Sequence, residues 1–237
     1  SPPLTNRMDR SACFRYYYVC TSKGYSREMQ IGGLTFGASK KPLAVVDHFE
    51  HPAYGLDQNM LVSATHAAWV KGSARQVYPS VRFREYPTET LGARYCNPVS
   101  ALEKLVADIE SGVEIGAVNM SLGISVSFKQ LRDDLGLQKL QARNVPSHRD
   151  RIVRNLGRIH YDRAASAETR ELQKLLNGNL GDVAKRMIEL TERITAKGIP
   201  VFVAGGNDGP DQLNLLLLAK GVTGVGALTN EGEKVAW

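Results

Sequence analysis

The chain has 237 residues, of which 43% are hydrophobic, and it carries a formal net charge of +6 at pH 7. This length and apolar content predict one sizeable α/β domain with a buried core, and they exclude a globally disordered chain. No apolar run approaches the length of a membrane-spanning helix, and the longest, at residues 215–219, is expected to be buried.

In chain order, the residue pattern predicts strands that alternate with helices. After an irregular N-terminal extension (residues 1–40, with a short strand at 16–20), strands are predicted at 43–47, 76–83, 114–120, 199–204 and 222–228. Helices are predicted at 61–71, 98–111 and 182–197. Because such alternation builds βαβ units, we expect an α/β fold with a doubly wound parallel sheet over residues 41–237.

A charged segment at residues 129–175 interrupts this alternation and is predicted to be a helical insertion. Between Lys129 and Glu171, ten Lys or Arg residues stand against six acidic residues. A basic segment can bind nucleic acid or an anionic membrane, but the interspersed acidic residues favour a solvated helical face. Nucleic acid is therefore not expected as a partner.

The residues themselves do not fix the compartment in which the protein works. The first residues contain no apolar stretch of the secretory kind. The cysteines Cys13, Cys20 and Cys96 form no CxxC pair, and their odd number leaves at least one thiol free. This cysteine content fits a reducing compartment slightly better than a disulfide-stapled one.

Polar residues are predicted at the carboxyl ends of three strands, the edge at which parallel sheets bind ligands. These residues are Asp47, Ser121 and Asn207. A carboxylate at the end of a buried strand needs a partner, and His66 follows Asp47 by nineteen residues, which suits one βα connection. The alternatives are an aspartate that caps a turn and a histidine that is satisfied within the core.

Four segments together resemble the subtilisin-like serine peptidases, the subtilases. They are LAVVD at 43–47, THAA at 65–68, AVNMSLG at 117–123 and VAGGNDG at 203–209. The resemblance covers about residues 41–123 and 180–237, and the 129–175 insertion lengthens the interval between the last two motifs. It implies a subtilase-type fold and a serine endopeptidase that hydrolyses peptide bonds by acyl transfer.

The resemblance also implies a role for particular residues. Asp47 would orient the general base His66, and the side chain of Asn207 would donate to the oxyanion. The polypeptide substrate would lie against two chain edges, formed by Ser121, Leu122 and Gly123 and by Gly205 and Gly206. The family implies secretion or export and needs no cofactor for catalysis. A structural calcium is common in it, but no acidic loop here supports one.

The chain departs from the family pattern at its nucleophile. Subtilases place this serine last, in a Gly-Thr-Ser motif that opens a buried helix, and residues 1–237 contain no such motif. Ser73 is not expected to replace it, because it lies too close to His66 in sequence and on the wrong element. His48, Phe49 and Trp69 also stand where small residues are usual.

Two functions remain open at this point. In the first, the nucleophile segment lies outside this chain, either not included or cleaved and still associated, and it covers the apolar face of strand 222–228. The chain alone would then be inactive. In the second, the protein is a non-catalytic pseudo-protease that binds a protein or peptide.

A metal site is a further alternative at the end of the strand at 43–47. Asp47, His48, His51 and His66 have zinc-like spacing, but no cysteine joins them and the pattern is weak. We therefore expect no metal at this position.

Overall fold

The computed structural model describes residues 29–31, 34–36, 41–49, 65–91, 95–164, 166–206, 209 and 211–226. The strand predicted at 16–20 lies outside these residues, as do Asn207 and Asp208 of the motif at 203–209 and the side chains of Cys13, Cys20 and His51. The strands are β1 (Met29–Ile31), β2 (Leu34–Phe36), β3 (Leu43–Asp47), β4 (Phe83–Pro87), β5 (Glu89–Leu91), β6 (Tyr95–Asn97), β7 (Ala117–Met120), β8 (Ser125–Ser127), β9 (Val201–Ala204), β10 (Gln212–Asn214) and β11 (Val222–Val225).

The described residues also form six α-helices and several short 3₁₀ turns. The helices are α1 (His66–Val77), α2 (Val99–Glu110), α3 (Phe128–Leu135), α4 (Val145–Arg154), α5 (Ala167–Leu175) and α6 (Leu180–Thr195). One 3₁₀ turn, Leu215–Leu218, contains the apolar run at 215–219, and three of its leucines are at most 2% exposed, as expected.

The central sheet has five parallel strands in the order β4-β3-β7-β9-β11. The connection from β3 to β4 crosses the sheet in one direction, and those from β4 to β7 and from β7 to β9 cross in the other. Because such crossovers are right-handed in nearly all proteins, α1 lies on one face of the sheet and α2 and α6 on the opposite face. The predicted α/β architecture with a parallel sheet is therefore present.

The face towards α2 and α6 is a continuous apolar core. Alternate residues of neighbouring strands stand side by side there in two rows, and all of them are at most 1% exposed. Helices α2 and α6 cover these rows, and ion pairs such as Arg186–Glu103 join the two helices at the surface. The rows are Ala44, Val118 and Val201, and Val46, Met120 and Val203.

The face towards α1 is covered less evenly. Val45 is fully buried, and Asp47 points to this side because side chains alternate along a strand. Further across the sheet, Asn119, Phe202 and Ala204 are only half buried. The part of this face formed by β3, beside α1, is therefore shielded from solvent, whereas the part formed by β7 and β9 is partly exposed.

The strand predicted at 76–83 is wrong, because α1 continues to Val77 and β4 begins at Phe83. Helix α1 ends there because Pro79 follows Tyr78, and a residue before proline is excluded from helical backbone angles. Tyr78 accordingly has φ −133° and ψ 89°. The β-branched and aromatic residues before Pro79 therefore close a helix instead of opening a strand.

The helix predicted at 61–71 is α1, which begins at His66 and ends six residues later than predicted, at Val77. The other predicted elements of the sheet domain are confirmed within a few residues. The strand at 43–47 has the predicted bounds, and the helices predicted at 98–111 and 182–197 are α2 and α6. The strands predicted at 114–120 and 199–204 begin later, at Ala117 and Val201. Of the strand predicted at 222–228, Val222–Val225 is described, and the question of what covers its apolar face stays open.

Residues 129–175 are helical, as predicted, but they are not merely a solvated surface. Leu131, Leu140, Ile152 and Leu156 from this segment are at most 1% exposed and belong to the main hydrophobic cluster. The segment therefore contributes part of the core of the domain.

Several arginines of this segment form hydrogen bonds within the protein and do not only face the solvent. Arginines donate to backbone carbonyl groups at the ends of turns and helices: Arg132 to Leu140, Arg149 to Leu218, Arg151 to Leu135 and Arg170 to Ala164. Arg149 also pairs with Glu192 of α6. Of these four, Arg149 alone reaches beyond residues 129–175 and ties the segment to the rest of the domain, whereas the other three bonds join parts of the segment itself. None of the described helices is long and apolar enough to cross a membrane.

Candidate active site

The candidate site lies where the strand order of the sheet reverses. The chain leaves β3 towards β4 on one side, while β7 pairs with β3 on the other side. At such a switch point the connections diverge and leave a crevice at the carboxyl ends of the strands. Asp47 is the last residue of β3, and Ser121 directly follows β7, so both lie at this crevice.

Asp47 and His66 form the hydrogen bond that the sequence predicts. The Nδ1 atom of His66 lies 2.7 Å from Oδ1 of Asp47. The carboxylate is only 3% exposed, whereas the His66 side chain is 40% exposed. The same carboxylate oxygen accepts a hydrogen bond of 2.7 Å from the backbone N–H of His48. A buried acid thus holds an imidazole that remains open to the crevice.

Local sequence explains this geometry. Thr65 caps α1, its hydroxyl accepting from the backbone N–H of Ala68, so that His66 becomes the first helical residue. The N–H of Ala67 donates to the carbonyl of His48 at 3.3 Å, which ties the start of the helix to the end of β3. The short side chain of Ala67 is fully buried and allows this close approach.

The protonation of His66 is set mainly by Asp47. The hydrogen bond that His66 donates to Asp47 raises the pKa of His66 above 6.5, burial lowers this pKa, and the negative charge of Asp47 raises it further. Since Nδ1 donates to Asp47, the neutral ring carries its lone pair on Nε2. Among the residues that the structure describes, Nε2 has no hydrogen-bond partner, so it is the atom available to accept a proton.

We expect Asp47→Asn to lower the pKa of His66, because the variant loses the negative charge and weakens the hydrogen bond that raises it. NMR titration of the ring measures this directly. The raised pKa also predicts a stability change. The stabilisation by protonated His66 is fully present below pH 6.5 and is lost as pH rises through the folded-state pKa.

The matched control is Asp134→Asn, which removes a carboxylate that accepts from His160 Nδ1 at 3.0 Å in the 129–175 segment. This variant should leave the His66 titration unchanged. A pKa of His66 below 6.5 in the wild type, or a pKa that Asp47→Asn does not change, would contradict the pairing of His66 with Asp47.

A hairpin formed by β5 and β6 stands beside Asp47. The His48 ring is buried and its Nε2 lies 3.2 Å from the Thr90 hydroxyl, and Thr88 donates to the Asp47 carbonyl from both its N–H and its hydroxyl. His48, which departs from the family pattern, therefore secures this hairpin. Neither the hairpin nor its contacts were predicted from the sequence.

The two histidine rings of the metal alternative have separate partners: His48 contacts Thr90 and His66 contacts Asp47. His51 lies outside the described residues. In the part of the chain that the structure describes, no three His, Cys, Asp or Glu side chains gather at one point.

The two predicted substrate edges are connected by a residue that the sequence analysis missed. Asn214, at the end of β10, is 2% exposed, and its Nδ2 donates to the carbonyls of Leu122 and Ala204 at 3.2 and 2.8 Å. Leu122 belongs to the first edge, and Ala204 directly precedes the Gly205–Gly206 edge. A polar residue before the apolar run at 215–219 was the available signal, since Asn214 also caps that turn.

The remaining predicted residues take the following positions. The hydroxyl of Ser121 donates to the side chain of Asn119 at 3.1 Å. The N–H of Gly205 donates to the Val225 carbonyl at 2.7 Å, and Gly206 has a φ of +103°, which favours glycine. Asn207 lies outside the described residues, so its predicted role stays a prediction.

Ser73 and Cys96 carry potential nucleophiles, but neither is suited to act with His66. Ser73 is buried on α1, seven residues from His66, which places it about 10 Å along the helix. Cys96 is a free thiol, and burial raises its pKa, whereas an activated cysteine needs a lowered one.

The site therefore combines a buried carboxylate, an open imidazole and two chain edges joined by a buried amide. A pair of this kind can remove a proton from a hydroxyl nucleophile and return it to a leaving group. Comparisons with protein-family models, curated proteins and solved structures give no match to this chain.

Proposed function

We propose that residues 41–237 belong to a serine endopeptidase of the subtilisin-like type. The observation that carries this proposal is the hydrogen bond between Asp47 and His66, with the acid buried and the base open at the switch point of a parallel sheet. A satisfied core histidine would not need a partly exposed ring. An aspartate that only caps a turn would not need the imidazole.

In the proposed reaction, Nε2 of His66 accepts the proton of a serine hydroxyl as its oxygen attacks the peptide carbonyl. Asp47 stabilises the imidazolium that forms, and His66 then gives the proton to the leaving amine. The acyl group left on the serine is released when His66 deprotonates a water molecule. By resemblance, Asn207 donates to the oxyanion during both steps.

The substrate is proposed to be an extended polypeptide that lies along residues 121–123. Backbone hydrogen bonds can bind such a peptide with little dependence on its side chains. The support is the position of this edge directly after β7, next to the strand that carries Asp47.

The nucleophile is proposed to come from a segment that is not part of residues 1–237. This sequence has no Gly-Thr-Ser motif, and neither Ser73 nor Cys96 is suited to replace it. The half-buried residues Asn119, Phe202 and Ala204 are compatible with a further segment over β7 and β9. That segment would be both the missing part of the site and a partner of this chain.

A pseudo-protease that binds peptides without cleaving them is the second candidate. The same missing motif favours it, since both chain edges can bind a peptide without a nucleophile. The two candidates differ in the sequence encoded after the codon for Trp237, where a Gly-Thr-Ser motif supports the peptidase and a stop codon supports the binding protein.

A fluorophosphonate probe tests the proposal, because it labels only an activated serine. We expect residues 1–237 to show neither labelling nor peptide hydrolysis, and the product of the complete reading frame to show both. Stoichiometric labelling of a serine within residues 1–237 would reveal a nucleophile that this account misses. A complete protein that binds peptides but shows neither labelling nor hydrolysis would establish the pseudo-protease instead.

A further inference from the structure

The side chain of Asn214 lies in the space between the two chain edges of the candidate site. On one side, a Cβ atom added to Gly123 would stand 2.1–2.3 Å from the Asn214 carboxamide. On the other side, a Cβ added to Gly206 would stand 4.0 Å from the Cβ of Asn214 and 3.5 Å from the Ser125 hydroxyl. Two glycines thus leave a gap that the chain's own asparagine occupies.

Asn214 is fixed in this gap. Both hydrogens of Nδ2 are used, one by the Leu122 carbonyl and one by the Ala204 carbonyl, and Oδ1 accepts from the N–H of Leu216 at 3.1 Å. Moving the side chain would leave two partly buried carbonyl groups without this donor, which is unfavourable. The amide is therefore a permanent part of the wall and is not displaced by an incoming side chain.

Behind the gap, the wall is supported by the 129–175 segment. The Ser125 carbonyl accepts a hydrogen bond of 2.7 Å from the buried hydroxyl of Thr169 on α5. Strand β8, which contains Ser125, pairs with β10, which contains Asn214. The gap therefore has little freedom to widen around a larger group.

We propose that Asn214 determines specificity by closing this gap, so that the peptide residue seated between the two edges is limited to glycine, alanine or serine. The proposal rests on the peptide site of the proposed function and names its substrate class, polypeptides with a small residue at this position. It follows from the volume that Asn214 fills and from the three hydrogen bonds that hold it there.

The test measures peptide binding by residues 1–237 and needs no catalysis. Labelled hexapeptides that differ in one guest residue (Gly, Ala, Ser, Leu or Phe), placed at each position in turn, are titrated by fluorescence anisotropy. At one position we expect the small guests to bind at least about tenfold more tightly than Leu and Phe. The variant Asn214→Ser keeps an oxygen for the Leu216 N–H but empties the gap, so Leu and Phe should gain about tenfold there.

The matched control is Asn144→Ser. Asn144 also accepts from a backbone N–H, that of Gln141, and donates to a backbone carbonyl, that of Lys139, but it lies within the 129–175 segment. This variant should keep the wild-type preference.

The outcomes separate this inference from the proposed function. Binding without any position that prefers small guests, or a preference that persists in a folded Asn214→Ser, overturns the inference and leaves the peptide site standing. Absence of binding by any peptide overturns the peptide site and the inference with it. If Asn214→Ser loses its cooperative thermal transition, the inference is tested by the wild-type protein alone. A position that prefers small guest residues then supports it, and the absence of such a position overturns it.

Discussion

In the product of the complete reading frame, His66→Ala should lower kcat for peptide hydrolysis by about 10⁶-fold, and Asp47→Asn by about 10⁴-fold. These magnitudes are those of serine peptidases with the same groups, which include subtilisin. The physical reason is that His66 accepts and returns the proton in both acyl-transfer steps. Asp47 only orients the His66 imidazole and stabilises its protonated form. Neither residue holds the peptide in the ground state, so KM should change little.

The matched control for these variants is His160→Ala. His160 also donates from Nδ1 to an aspartate, Asp134, but this pair lies in the 129–175 segment, away from the sheet edge. Its replacement should leave kcat within about twofold. A complete protein in which His66→Ala keeps a tenth or more of the wild-type kcat would refute the general-base assignment.

The dependence of the rate on pH provides a second check on the same pair. A general base works only when it is unprotonated, so kcat/KM should rise with pH through the raised pKa of His66. Because Asp47→Asn lowers that pKa, the rising limb of the profile should move to lower pH in this variant.

The second large effect concerns stability and does not depend on the proposed function. Gly123→Ala should destabilise the fold by about 2–4 kcal/mol, because its Cβ would overlap the carboxamide of Asn214 and push a hydrogen-bonded, buried side chain out of place. Equilibrium unfolding in urea measures this free energy directly.

A double-mutant cycle identifies the contact. In an Asn214→Ala background the overlapping Cγ, Oδ1 and Nδ2 atoms are gone, so Gly123→Ala should cost about 1–2 kcal/mol less than it does in the wild type. Gly157→Ala is the control, since a Cβ at this position would meet no atom within 4 Å. Additive costs for Gly123→Ala and Asn214→Ala would show that the two residues are not in contact.

The sequence was sufficient where short-range patterns decide the structure. The apolar residues at 43–46 favoured a buried strand, and the 3, 4 spacing at 98–111 indicated an amphipathic helix. The Asp47–His66 pair was predictable for a related reason. One βα connection brings the end of a strand and the start of the next helix to the same edge, and the chemistry of a buried carboxylate then selects the imidazole.

Two predictions differ from the structure, one for a local reason and one because a distant segment decides. The end of α1 was set too early, because the strand-forming residues before Pro79 weighed more in the pattern than the effect of proline on the residue before it. The acidic residues interspersed among the basic ones of 129–175 favoured a solvated helical face. Arg149 of this segment instead binds the carbonyl group of Leu218, 69 residues away, which becomes a neighbour only in the folded chain.

Asn214 shows most clearly the difference between what the sequence predicts and what only the tertiary structure decides. Ninety-two residues separate it from Leu122, and only the pairing of β8 with β10 brings them together. The sequence by itself predicted most strands of the sheet and the contact between Asp47 and His66, because these follow from periodicity or from one short connection. The tertiary structure alone decided that the gap between the two glycine-containing edges is filled by a hydrogen-bonded amide, because close packing depends on which distant residues meet.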